Sequence, residues 1–403
     1  MNKITGSLLL VGLCVSGVTA QELKLPYYST HPAADPDYSY FCKKSFPNGQ
    51  PNKVLSPQEL DVRSCDISSW DLTPYTAREL ADVLTFDSQT KFPPKQKLPK
   101  GFKPRKILQH GKGPGLGVKA LHKKGITGKG VSVAVIDQNL LLEHQEYQDQ
   151  VVYYEEDKNF WRRTDRSSMH APAVVSIAAG KKVGVAPQAR VFAFAPSFGE
   201  TTDKQYDARP TAQALRRITE LNSQLPADKK IRVVSISRGF SPHDNGSAEF
   251  EAAKQALEKD GVAVFTTNDV HTLSRNHSLD DPENAANYCR MAYWFGKGDV
   301  KFLAIDEQEV VVPTDFRVIS SETGPANYVH YANGGLSWAV PYVAGLYALG
   351  AQVYPRLTKE IFVNAVHETA TVRSCEYEGE KFSMPLVNPS HLINYLRLLN
   401  TQN

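Results

Sequence analysis

Three side chains in this 403-residue sequence have the types that nucleophilic catalysis needs: Asp137, His170 and Ser337, in that chain order. A serine hydroxyl is a weak nucleophile until a neighbouring imidazole takes its proton. The imidazole in turn needs a carboxylate to fix its tautomer and to stabilise the imidazolium. Acid, histidine, serine is one of the known chain orders for such a triad. Each residue also has an ordinary structural role: an aspartate after an apolar strand often caps the next helix, and a serine at a helix start is a common N-cap. What separates these three from that background is their joint placement, each at the end of an element.

The elements can be read from the pattern around them. Gly334 to Gly350, GGLSWAVPYVAGLYALG, sets Ser337 at the start of a helix. Val343, Ala344, Leu346, Tyr347 and Leu349 leave it almost no polar face, so the helix is expected to be buried all round. Gly334 and Gly335 are expected to permit close approach of the backbone, and Pro341 is expected in the first turn, where a missing N–H costs little. A serine at a helix N-terminus has backbone N–H groups and the positive end of the dipole beside it, a setting suited to a developing oxyanion. Val131 to Ile136 is a continuous apolar run of buried-strand type that ends on Asp137. His170 opens a small-residue helix over 171–179. Strands are then expected at 190–195, 231–237 and 262–267, and helices at 212–224 and 247–259. Strands alternating with helices imply an α/β fold of three layers, a mostly parallel sheet with helices on both faces. In such sheets ligands bind beyond the carboxyl ends of the strands, where Asp137, Ser237 and the end of VAVFTT fall.

Charged residues make up 22% of the chain and the formal net charge is +3, which gives no reason to propose nucleic acid or a membrane surface as a partner. Residues 1–20 have the form of a signal peptide: Lys3, an apolar stretch from Leu8 to Val18, and Val18-Thr19-Ala20 as a cleavage site. The chain is therefore expected to be exported, to an extracellular or periplasmic destination, and no later stretch is long enough to span a membrane. Export makes disulfides the favoured state of Cys42, Cys65, Cys289 and Cys375, with three pairings open. Metal-ligand spacing is absent, and no metal or cofactor is expected. Asn245 and Asn276 fit the glycosylation acceptor pattern. Residues 21–110, rich in Pro, Tyr, Asp and Lys, are expected to form an N-terminal extension, an arm packed on a domain spanning 111–403, with a short inhibitory pro-segment as the alternative. One short helix is expected in it, near Thr76 to Leu84.

With these segments in view, the chain resembles the subtilisin-like serine peptidases (subtilases). GKGVSVAVID, ending at Asp137, resembles the family's aspartate strand. HAPAVVSIAAG, from His170, resembles its histidine helix. GLSWAVPYVAGLYAL, from Gly335, resembles its serine motif, with Ser337 at the nucleophile and Pro341 and Gly345 at matching places. The similarity runs over about residues 113–372. It implies a subtilisin-like fold and endopeptidase activity on an extended peptide, through an acyl-enzyme. It also implies that Ser237, Arg238 and Gly239 bind substrate backbone by strand addition. Five positions depart from the family's pattern. Ala171 and Ala173 replace a small residue and a second histidine. Arg238 stands where an apolar residue is usual, which suggests a subsite that prefers acidic side chains. Trp338 replaces a smaller residue. Asn268, assigned as the oxyanion donor, arrives about two positions early and lacks its preceding glycine.

Two other functions stand as alternatives to a secreted serine endopeptidase. A catalytically weak or inactive peptide-binding protein would share the fold, and the displaced Asn268 motivates it. An esterase would want a G-x-S-x-G elbow and the order serine, acid, histidine, and this sequence has neither.

Overall fold

A computed structural model describes residues 23–36, 60–157, 165–196, 206–292, 305–377 and 379–402. The expected signal peptide and Cys42 lie outside these residues.

Six strands build the main sheet: β1 (Tyr27–Tyr28), β4 (Ser132–Ile136), β5 (Val151–Glu156), β6 (Arg190–Ala195), β7 (Ile231–Ile236) and β8 (Ala263–Phe265). Their order is β1-β5-β6-β4-β7-β8, and every pairing is parallel. The side-chain alternation of β4 distributes its residues to two cores. Val133 and Val135 face α4 (His170–Ala179) and α7 (Leu336–Val353). Ala134 and Ile136 face α5 (Arg209–Gln224) and α6 (Ser247–Lys259). Burial on both faces explains why these strands read as apolar runs and not as alternating ones. The three-layer parallel architecture is thus present, and residues 137, 237 and 266 follow the carboxyl ends of their strands.

The apolar composition of α7 has the expected result: every residue from Trp338 to Ala351 is buried. Gly345 lets α7 lie close to α4, because a Cβ there would meet Val185 Cβ at 2.6 Å and the Ala178 carbonyl at 3.1 Å. The first expectation that fails concerns Pro341. The N-cap is Gly335, so the proline lies inside the helix, beyond its first turn. Its missing N–H leaves the carbonyl four residues earlier, that of Ser337, without its helical donor. Ser237 Oγ donates to that carbonyl instead, at 2.9 Å. The strand expected over 262–267 is also shorter. Thr266 and Asp269 form a capping box that turns the chain into a short 3₁₀ segment, Thr267–Asp269.

A second sheet has the order β13 (Arg317–Ser320), β14 (Tyr328–Tyr331), β3 (Leu84–Asp87), β2 (Leu60–Asp61). It joins β2 and β3 of the N-terminal extension to β13 and β14. The extension also supplies β1 to the main sheet and has its own apolar cluster, which includes Val62, Trp70, Leu80 and Phe86. Its helix α1 (Ala77–Val83) starts at a Thr76/Glu79 capping box, close to the expected position. A disulfide joins Cys289 to Cys375, and Cys65 is also disulfide-bonded. Among the described residues, no helix is long and apolar enough to cross a membrane.

Candidate active site

Asp137 continues β4 by one residue, its N–H donating to the Phe194 carbonyl at 2.8 Å. Its side chain is 3% exposed. His170 is the first residue of α4, and Ser168 Oγ accepts from the backbone N–H groups of His170 (3.2 Å) and Ala171 (3.1 Å). These two bonds hold the start of the helix, from which the imidazole reaches Asp137 at the end of β4. His170 Nδ1 lies 2.8 and 2.9 Å from the two Asp137 carboxylate oxygens. A proton on Nδ1 suits that pair and leaves Nε2 as the basic nitrogen. Burial alone would lower the histidine's pKa. The Asp137 charge and hydrogen bond outweigh burial, and His170 titrates above the ordinary histidine value.

Ser337 is the second residue of α7, within the first turn, whose N–H groups have no partner inside the helix. Its hydroxyl donates to the Ser237 carbonyl at 3.3 Å, not to His170. Ser237 and Ser337 therefore exchange two bonds, which tie the end of β7 to the start of α7. The loop before Ser337 is held from the other side. Gly334 N–H donates to Asp315 Oδ1 at 2.7 Å, and Arg290 lies 3.4 Å from Asp315 Oδ2 and 2.7 Å from Asn333 Oδ1. Gly334 has no room for a side chain, since a Cβ would sit 2.3 Å from the Thr314 carbonyl. Gly335 meets no such obstacle, so only one of the two glycines is there for close approach.

The residues assigned to substrate binding occupy the turn after β7. The Arg238 carbonyl accepts from Thr267 N–H at 3.1 Å. The Gly239 backbone makes no hydrogen bond among the described residues. The Arg238 guanidinium lies 3.8 Å over the Tyr206 ring, a cation held at the sheet edge by an aromatic face. Asn268 is exposed and packs on Gly239, where a Cβ would meet its Oδ1 at 2.6 Å. One N–H of its amide goes to the Phe240 carbonyl at 2.9 Å. The turn that carries it packs against α7. It is anchored by Lys359, which bonds Asp269 Oδ1 (2.8 Å), the Val264 carbonyl (2.8 Å) and Glu258 Oε1 (3.1 Å).

Sequence reasoning missed what lies behind the histidine. Trp338 is 4% exposed. Its ring lies 5.3 Å from the His170 ring and 5.4 Å from the Tyr331 ring, centroid to centroid. It supports the imidazole from within the core. A tryptophan directly after a candidate nucleophile was the available signal. Among the described residues, no group of three or more His, Cys, Asp or Glu could hold a metal ion.

Comparison with known proteins gives one family match. The family model described as Subtilase family (Peptidase_S8) matches residues 128–295. That span holds Asp137, His170, Ser237, Arg238, Gly239 and Asn268, and ends before Ser337. Among solved structures, the prenylagaramide maturation protease PagA is 17% identical with a TM-score of 0.48, over 70% of this chain and 98% of that one. The PatG macrocyclase, solved in complex with peptide, is 14% identical with a TM-score of 0.48, over 70% of this chain and 95% of that one.

Proposed function

We propose that this chain, a subtilase by the match over residues 128–295, is an exported serine endopeptidase working through Asp137, His170 and Ser337. The observation that carries the proposal is the buried Asp137–His170 pair at 2.8 and 2.9 Å, set on the same sheet edge as a serine in the first turn of a buried helix. In this mechanism His170 Nε2 takes the Ser337 proton as Oγ attacks the scissile carbonyl. Asp137 holds the tautomer and stabilises the imidazolium. The Ser337 backbone N–H and the second N–H of the Asn268 amide receive the oxyanion. Collapse expels the amine, which His170 protonates, and water then resolves the acyl-enzyme by the reverse proton path. An extended peptide pairs with Ser237, Arg238 and Gly239, and Arg238 favours acidic side chains beside the scissile bond.

A second reading keeps the fold without the turnover, as a peptide-binding protein. Two bonds favour it: Ser337 Oγ to the Ser237 carbonyl, and Asn268 to the Phe240 carbonyl. Both can be exchanged for substrate by side-chain rotation, and such bonds often tighten only when substrate is bound. Digestion of an unstructured protein, followed by mapping of the new termini, separates the two readings. Endopeptidase action predicts internal cleavages that vanish in Ser337→Ala. It also predicts a loss of roughly 10²–10³-fold in Asn268→Ala. Binding of the same substrate without any new termini would select the second reading.

A further inference from the structure

The N-terminal extension meets the site at three places. Residues 33–35 run beside the lead-in to His170: Ala33 forms a parallel bridge with Arg166, its N–H donating to the Asp165 carbonyl at 2.9 Å and its carbonyl accepting from Ser167 N–H at 2.8 Å. Arg166 Nη1 donates to the Ala34 carbonyl at 2.8 Å. Strand β3 pairs with β14, the strand that leads into the serine loop, and Thr85 Oγ1 accepts from Ala332 N–H at 2.9 Å. The third contact is a side-chain relay. Arg63, 6% exposed, is clamped by the Asp61 carboxylate and donates from Nη1 to the Tyr331 hydroxyl. The Tyr331 ring packs edge-on against Trp338, and Trp338 packs against His170.

From this arrangement we infer that Arg63 is a positioning residue for His170, acting through Tyr331 and Trp338, and that residues 60–110 stay with the working protein. A segment made to be removed would leave β14 without its β3 partner. It would also leave the Tyr331 hydroxyl without the Arg63 donor behind the histidine. The inference rests on the peptidase reading for its consequence in catalysis, but the relay itself can be tested without turnover.

The experiment uses the full chain and the variants Arg63→Met and Tyr331→Phe, with circular dichroism as the check on folding. Tyr331→Phe removes only an oxygen and is the variant that keeps the test open should Arg63→Met fail to fold. The first readout is the rate of reaction with a fluorophosphonate probe. It is expected to fall roughly ten-fold in both folded variants, since small misplacements of reacting groups are costly. The second readout is Trp338 fluorescence against pH, isolated by subtracting Trp338→Phe. Protonated imidazole quenches a neighbouring indole, so the native protein is expected to show a transition that belongs to His170, whose ring lies 5.3 Å from that of Trp338. Loss of most of that amplitude in the variants supports the relay. Native rate and native amplitude in both folded variants would overturn it, as would a probe-labelled species whose intact mass lacks residues 60–110. If the native protein is not labelled at all, the peptidase reading fails, and the fluorescence amplitude alone decides the relay.

Discussion

Replacing Asp137 with asparagine is the sharpest perturbation of the proposed chemistry, because it keeps the volume and removes the charge. The side chain is 3% exposed and both oxygens lie within 2.9 Å of His170 Nδ1. During attack the imidazole becomes an imidazolium against that carboxylate. An ion pair of this kind is worth about 4 kcal/mol at an effective dielectric near 20. At ~1.4 kcal/mol per decade, loss of the charge alone slows reaction by about 10³-fold. The asparagine amide can also donate to Nδ1 and so fix the wrong tautomer, which brings the total to about 10⁴-fold. The residual rate carries a second signature. Native His170 titrates above the ordinary histidine value, so the rate should fall as the pH drops through that raised pKa. In Asp137→Asn both raising influences are gone and burial remains, so the acid limb should move to lower pH, below about 6.5. The assay is the pseudo-first-order rate of fluorophosphonate labelling across roughly pH 5 to 9, the range in which histidine titrates. A native-like rate, or a reduced rate with an unmoved acid limb, would refute the assignment of Asp137.

Three further outcomes follow from the same geometry. Ser237→Ala removes the hydroxyl that satisfies the Ser337 carbonyl left without a donor by Pro341, and should cost about 1–3 kcal/mol in urea unfolding. Gly345→Ala forces a methyl to within 2.6 Å of Val185 Cβ and 3.1 Å of the Ala178 carbonyl, and should cost about 1–3 kcal/mol by the same measurement. Lys359→Met strips the half-buried ammonium from Asp269 and Glu258 and should cost about 1–2 kcal/mol. It should also slow labelling, because Asp269 anchors the turn that carries Asn268.

Four strands of the main sheet, β4, β6, β7 and β8, and the helices between them are legible in the sequence because burial on both faces turns parallel strands into apolar runs, whereas the two-residue β1 and the edgeward β5, with its mixed VVYYEE sequence, carry no such run. The run into Asp137 and the all-apolar helix after Ser337 carry that information locally. Pro341 was misplaced by a turn because the partner that rescues the exposed carbonyl, Ser237, lies a hundred residues away. The second sheet was not seen for a related reason. β2 and β3 are two and four residues long, and β3 finds β14 only across more than 240 residues. Arg63, Tyr331 and Trp338 are ordinary residues in their own neighbourhoods, and their relation exists only after folding. Asn268 stands out in the sequence by type alone, and its turn is set by the Thr266–Asp269 box and by Lys359, which no strand pattern indicates.

The central claim is that Ser337 is an activated nucleophile whose base is His170. The most direct test is to treat the folded native protein with a fluorophosphonate at neutral pH and to map the adduct by peptide mass, alongside Ser337→Ala and His170→Ala. A single adduct on Ser337, lost in both variants, is the expected result. A folded native protein that takes no probe, an adduct on another residue, or undiminished labelling in His170→Ala would contradict it.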